Sequence, residues 1–257
     1  MILSFYKYQA TGNDFILVDN RRNIFPKKDT KLIADLCHRR FGIGADGLIL
    51  LEADNSTDFR MVYFNADGRE GSMCGNGGRC VVAFARMQGL IGDSCKFIAF
   101  DGLHEAQVVK NGVALKMGDV TEIHSRPKYL WMDTGSPHHV QLWDNWDSLD
   151  VRKEGRRLRY GLYGASGSNI NFVNPLEDAH FEVRTYERGV EDETYSCGTG
   201  VTATALAMHK LGHLKGTHAT INTQGGTLEV TFAKNPAGYS EIWLRGPALQ
   251  VFKGALP

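Results

Sequence analysis

Residues 73–77 read Met-Cys-Gly-Asn-Gly, and residues 196–200 read Ser-Cys-Gly-Thr-Gly. Each stretch is a Cys-Gly-X-Gly with a glutamate four residues before the cysteine, Glu70 and Glu193. Each opens an apolar run, residues 79–90 and 202–214, with few charges: Arg79 and Arg86 in one, Lys210 in the other. Such runs read as helices buried nearly all round. Both reach a glycine fifteen residues after the cysteine, Gly89 and Gly212, the expected stop just past a helix C-terminus.

Outward from the two motifs, the spacing 197 − 74 = 123 recurs. Thr11-Gly12 falls on Thr134-Gly135, Gly44 on Gly167, Tyr63 on Tyr186 and Gly102 on Gly225. Six of the fourteen glycines before Asp119 land on a glycine, where composition alone gives about one or two. The chain therefore reads as a duplication, nearly ungapped, with halves 1–117 and 118–248 and a boundary at Gly118-Asp119. Duplicated halves are expected to form related domains with a ligand site between them.

Bulk properties narrow the class. A length of 257 residues buries a sizeable core in one large or two modest domains. The 29 basic and 29 acidic side chains cancel and are well mixed, which points away from nucleic acid and membrane surfaces. The first residues lack the pattern of a signal peptide, and no apolar stretch is long enough to span a bilayer. Five cysteines without regular spacing suit free thiols in a reducing cytoplasm.

Taken in order, the first half predicts strands at 3–8 and 15–19, a helix at 31–41 capped by Asp29, and strands at 48–52 and 59–65. After its motif come a strand at 96–100 and a hairpin, 106–109 with 113–117, turning at Asn111-Gly112. The second half repeats the order: strands at 129–133 and 140–143, a weaker helix at 151–160, and strands at 169–173 and 181–186. The second motif helix is followed by strands at 219–222, 227–232 and 240–244. The fold class is α/β, each half a curved sheet wrapped about its motif helix, with Cys74 and Cys197 facing inward.

The chemistry follows from what a helix start does to a thiol and to an anion. A free thiol titrates near about 8.5, and a helix N-terminus favours its thiolate. Cys74 and Cys197 are thus candidate reactive thiols. The backbone N–H groups of Gly75-Asn76 and Gly198-Thr199 form carboxylate sites. Two such grips on one carboxylate, with a sulfur on each face of the adjacent carbon, suit inversion: a thiolate removes the α-proton and a thiol returns one. Cys37, Cys80 and Cys95 read as buried and inert. A zinc site from Cys74, Cys80, His138 and His139 matches no metal spacing. Cysteine hydrolase chemistry with His138 or His139 is the stronger rival, but it leaves one cysteine idle.

At these residues the sequence resembles a family. YQATGNDF, FNADGREGSMCGNGGRC and YERGVEDETYSCGTG, in this order, are similar to the diaminopimelate epimerases, over nearly the whole chain. The resemblance implies two pseudo-symmetric domains, each a mixed, mainly antiparallel sheet curled around a central helix, with a C-terminal strand, 249–257, returning to the first. It also implies interconversion of LL- and meso-2,6-diaminopimelate in lysine and peptidoglycan precursor biosynthesis, with no cofactor and no metal, by a homodimer. By it, Cys74 is the proton donor and Cys197 the acceptor in the LL-to-meso direction. Gly75, Asn76, Gly198 and Thr199 grip the reacting carboxylate. Asn13, Asn65, Asn169, Glu187 and Arg188 complete the substrate site, and His138 and Glu187 tune the thiols.

These types make sense for a substrate with a zwitterion at each end: Arg188 offers a forked contact to the distal carboxylate, Glu187 suits an ammonium, and Asn65 and Asn169 orient either. Two positions depart from the pattern. Many members carry glutamine where Gly47 stands, and asparagine where Ser136 stands. A proline-racemase-like epimerase of another amino acid, or a non-enzymatic amino-acid-binding protein, remains an alternative at this point.

Overall fold

The computed structural model describes residues 3–177 and 179–256. The chain divides into two compact units, one running to Leu115 and resuming at Gly246, the other Lys116–Arg245. Both breaks fall slightly before the expected 117/118 and 248/249.

The first unit begins with β1 (Leu3–Ala10) and β2 (Asn13–Asp19). The turn between them, Thr11-Gly12, takes positive φ at both residues, +47° and +85°, so the antiparallel pair closes with Ala10 opposite Asn13. Helix α1 (Thr30–Cys37) crosses to β3 (Gly47–Glu52), which lies parallel to β2 and antiparallel to β4 (Phe59–Asn65). Helix α2 (Gly75–Met87) crosses to β5 (Ser94–Ala99), parallel to β4. Strands β6 (Gly102–Val109) and β7 (Gly112–Lys116) finish the meander.

The second unit opens with β8 (His124–Arg126) and then repeats this course. Strands β9 (Tyr129–Asp133) and β10 (Pro137–Leu142), helix α3 (Val151–Tyr163), β11 (Asn169–Pro175) and β12 (His180–Glu187) take the places of β1 to β4. A short β13 (Asp192–Thr194) hairpins on β12, and α4 (Gly198–Lys210) leads to β14 (His218–Thr223), β15 (Gly226–Asn235) and β16 (Gly238–Gly246). The pairings again run antiparallel except across the two helical crossovers, β10 with β11 and β12 with β14. Last, β17 (Leu249–Leu256) pairs antiparallel with β1, Leu3 opposite Leu256. Pro257 of the expected final strand, and Met1 and Ile2 of the expected first half, lie outside the described residues.

Each sheet curls because its central helix is apolar on nearly every side and must be covered. Helix α2 touches β1, β2, β3, β4, β6 and β17; α4 touches β9, β10, β11, β12, β14 and β15. The sheets are mixed and mainly antiparallel, as expected. Both helices end in the same Schellman arrangement. Gly89 N–H bonds Arg86 O and Leu90 N–H bonds Ala85 O; Gly212 bonds His209 O and His213 bonds Met208 O. Gly89 and Gly212 take φ of +69° and +82°.

The motif helices start at Gly75 and Gly198, directly after the cysteines, as expected, with the apolar runs opening one turn further in. Their glycines allow close packing against the sheet. Three expectations need correction. Helix α1 stops at Cys37, because the backbone N–H groups of Ile43, Gly44 and Ala45 take the last carbonyls, Leu36 O and Cys37 O. The hairpin turn is Lys110-Asn111, with Val109 opposite Gly112, because Gly112 belongs to the strand, where a side chain would overlap Gly246 O. Strands β8 and β13, three residues each, are too short to carry an alternating pattern and were not expected.

Candidate functional site

Cys74 and Cys197 are each the N-cap of their helix, with extended backbone, φ −103° and −122°. The first helical bonds run to their carbonyls: Gly78 N–H to Cys74 O at 2.7 Å and Val201 N–H to Cys197 O at 2.9 Å. Neither helix start is capped by a side chain. The N-terminal turn, with its partial positive charge, is therefore left for an anion. Both cysteines are partly accessible, whereas Cys37, Cys80 and Cys95 are buried. Burial pushes the Cys37 thiol up to about 11 and the Cys95 thiol up to about 12, and raises Cys80 further still. Those three are poor thiolates; the repeated pair is set apart by its place in the fold.

In the first unit the structure gathers Asn13, Cys74 and Asn76. The Cys74 sulfur lies 3.5 Å from Asn13 Oδ1, and Asn76 Nδ2 donates to the same oxygen at 3.3 Å. Asn13 Nδ2 donates to Asp46 Oδ2 at 2.6 Å, which fixes the amide with its oxygen towards the sulfur. Behind Asn76 stands Arg79, fully buried, donating to Asn76 Oδ1 at 2.7 Å and Thr11 Oγ1 at 3.2 Å. Loss of solvent pulls this guanidinium down to about 10, against the Coulombic pull of Cys80 and Cys74. A hydrogen-bonded row thus runs from a buried cation through two amides to a carboxylate, Asp46, which Arg39 holds in turn. Asn65 stands apart at the exposed end of β4, its backbone closing the turn to Gly68 and Arg69.

In the second unit the structure gathers Cys197, Thr199, His138 and Asn169. The Cys197 sulfur lies 3.4 Å from Thr199 Oγ1, which lies 2.8 Å from His138 Nε2. His138 is fully buried; loss of solvent, with the charge of Arg188 behind it, pulls the imidazole down to about 3, so it is neutral. Asn169 donates to Ser136 Oγ at 2.9 Å and Pro137 O at 3.2 Å, and its oxygen accepts from the Arg188 N–H at 2.8 Å. The Arg188 guanidinium is exposed and reaches Ser166 O, and Glu187 Oε2 accepts from Thr194 Oγ1 at 2.9 Å. Thr134 Oγ1 ties Thr199 O down at 2.8 Å. His139 is turned to other partners, Tyr163 and Gln141.

The two departures have local causes. Any side chain at Gly47 would overlap the Tyr63 ring, so a glutamine does not fit beside that tyrosine. Ser136 bonds Asn169 and so reaches the cluster through it. The structure also shows residues that the sequence reading passed over: Asp46, Arg79, Asn171 and Thr185. One signal was present. In Asn169-Ile-Asn171-Phe172 both faces of β11 are buried, yet one face carries two asparagines, a local rule broken in the way that marks a functional strand.

The duplicated fold, two curled mixed sheets around two buried helices, is that of a known structural class. A phenazine biosynthesis protein of the PhzF family from Bacillus anthracis matches it with a TM-score of 0.77, over 100% of this chain and 99% of that one, at 16% identity. A model of the family described as diaminopimelate epimerase matches residues 5–123 and again 130–248. A diaminopimelate epimerase of Flavobacterium psychrophilum is 56% identical over 98% of this chain and 99% of its own length. Another, from Chlorobaculum tepidum, is 42% identical over 96% and 98%. The chain belongs to the diaminopimelate epimerase family, and so to the isomerases.

Proposed function

We propose that the protein interconverts LL- and meso-2,6-diaminopimelate without a cofactor, by two-base chemistry, serving lysine and peptidoglycan precursors in the cytoplasm. The observation that carries this is the matched pair of partly exposed cysteines, each the N-cap of a buried helix with no side-chain cap. In the LL-to-meso direction the Cys197 thiolate takes the α-proton from one face of the carbon. The Cys74 thiol gives a proton to the opposite face, and the roles exchange in reverse. The N–H groups of Gly75-Asn76 and Gly198-Thr199 hold the carboxylate and the charge that builds on it. Asn13, Asn65 and Asn169 orient the substrate, Glu187 takes the distal ammonium and Arg188 the distal carboxylate.

The hydrogen bonds favour this division of roles. Asn13 Oδ1 lies beside the Cys74 sulfur as an acceptor, which suits a thiol, and Cys197 faces a hydroxyl backed by a neutral imidazole, which suits a thiolate. A homodimer belongs to the same reading: Leu249, Val251 and Phe252 on β17 are exposed apolar surface that a second copy would cover. The test incubates LL-diaminopimelate with the enzyme in deuterated water, with no cofactor added. Epimerisation with deuterium entering at one α-carbon is expected; absence of turnover, or a requirement for pyridoxal phosphate, overturns the reading.

A further inference from the structure

Asn171 has no part in the scheme above, yet it is fully buried in β11 and bonded on every side. Its Nδ2 lies 2.9 Å from the His139 carbonyl oxygen and 3.0 Å from His138 Nδ1, and its Oδ1 accepts from Thr185 Oγ1 at 2.9 Å. The carbonyl decides which way round the amide sits. A backbone oxygen only accepts, so the amide face towards it is the NH₂. The same NH₂ therefore points a hydrogen at His138 Nδ1.

A neutral imidazole that accepts at Nδ1 carries its proton on Nε2. That N–H faces Thr199 Oγ1 at 2.8 Å. With its oxygen already accepting, the Thr199 hydroxyl has its own hydrogen to place, and the Cys197 sulfur lies 3.4 Å away. Asn169 Nδ2, 3.5 Å from His138 Nε2, has its hydrogens committed to Ser136 and Pro137. Each hydrogen bond along the row Thr185, Asn171, His138, Thr199 then runs towards Cys197. The charge that acts on His138 is that of Arg188, whose field helps keep it neutral.

We infer that Asn171, braced by Thr185, is a positioning residue that fixes the tautomer of His138 and thereby makes Thr199 a hydrogen-bond donor to the Cys197 thiolate. A sulfur that receives a hydrogen bond is stabilised as the anion. Gly200 is part of the same device: a methyl group there would overlap Asn171 Oδ1 and press His138 Cε1 at 3.3 Å. The inference deepens the two-base reading and rests on it for the role of Cys197.

The test reads Cys197 without substrate. In the Cys74→Ala background the rate of iodoacetamide alkylation of Cys197, located by mass spectrometry, is followed against pH. Asn171→Asp puts an acceptor against His138 Nδ1, reverses the row and is expected to raise the alkylation midpoint by about one pH unit or more. Thr185→Val should raise it by a fraction of that. The midpoint of Cys74, measured in the Cys197→Ala background, should not move with either change. An unchanged Cys197 midpoint in folded Asn171→Asp overturns the inference. So does nitrogen-15 NMR of the unaltered protein that finds the His138 proton on Nδ1, a measurement that needs no variant to fold. If diaminopimelate is not turned over while the Cys197 midpoint still shifts, the relay stands and the substrate reading falls.

Discussion

The two units place the same backbone under two different sets of side chains. Gly77 and Gly200 occupy matching positions in α2 and α4. A methyl group at Gly77 would meet Ile49, Met61 and Phe15, all apolar; one at Gly200 would meet Asn171 and His138. Phe15 and His138 are themselves 138 − 15 = 123 residues apart. Phe15 pairs with Gly47 across to β3 and His138 with Asn169 across to β11, so the repeat slips by one residue there. Two residues further along each helix the polarity reverses. Arg79 reaches back to Gly75 O, and its counterpart Thr202 reaches back to Gly198 O. The first unit thus puts its polar weight, a buried cation, behind the Asn76 amide. The second puts its polar weight beneath the sulfur. Duplication supplied two equal helix starts; divergence backed one with a buried cation and the other with a neutral imidazole.

The largest effect expected from breaking this comparison comes from the sulfurs. Cys74→Ala and Cys197→Ala should each lower epimerisation by at least about 10³-fold, since each removes a positioned acid or base. Substantial turnover by either variant refutes the two-base division. Next is the pair of matched glycines. Gly200→Ala should cost roughly 100-fold in kcat/KM by displacing the row that faces Cys197. Gly77→Ala presses only the ends of Ile49 and Met61 side chains, at 3.1 and 3.2 Å, and should cost well under that; equal losses would erase the contrast. Third, Arg79→Met should raise KM for diaminopimelate roughly tenfold, about 1.4 kcal/mol, by freeing the Asn76 amide. Thr202→Val in the other unit should leave KM within about twofold, as expected for a back-bonded helix threonine.

The smallest effect lies in acid stability. His138 and His139 are held neutral by burial, at about 3 and about 4 in the folded protein. The unfolded chain takes up their protons near pH 6.5, so the folded state loses stability as pH falls from about 6.5 towards 4 and 3, and keeps it all above that window. His138, His139 and His209, each lowered below the ordinary imidazole range by loss of solvent, all belong to the second unit. In the first unit Asp14, partly buried and bonded to Arg39 and Lys7, is held well below the usual carboxylate range, and its contribution is lost only as pH falls below about 3.8. Hydrogen exchange near pH 5 should therefore show α4 amides losing protection before α2 amides; simultaneous loss would show that the units open as one.

Much of the fold was legible because the signals are local. The Cys-Gly-X-Gly repeats, the apolar runs and the glycines that close them fix two buried helices at a constant spacing. Base pattern and turn residues then place most strands to within a few residues. The helix starts were legible from the repeated Cys-Gly pairs, although glycine usually breaks helices; tertiary packing overrides that preference. The gathering of Asn13 with Asn76, and of His138 with Thr199, is visible only once strands adjoin. A residue such as Asn171 carries no motif, and its importance comes from three partners on β10 and β12 that chain order does not connect.

By itself, then, the sequence determined the duplication, the repeated cysteine pair, the helix starts beside them and the family. Periodicity and short motifs are properties of neighbouring residues. The tertiary structure decided which way each amide and imidazole points, because a hydrogen-bond direction is set by whichever fixed donors and acceptors the fold brings alongside. For the pair of cysteines, the sequence made them alike and the packing around them made them different.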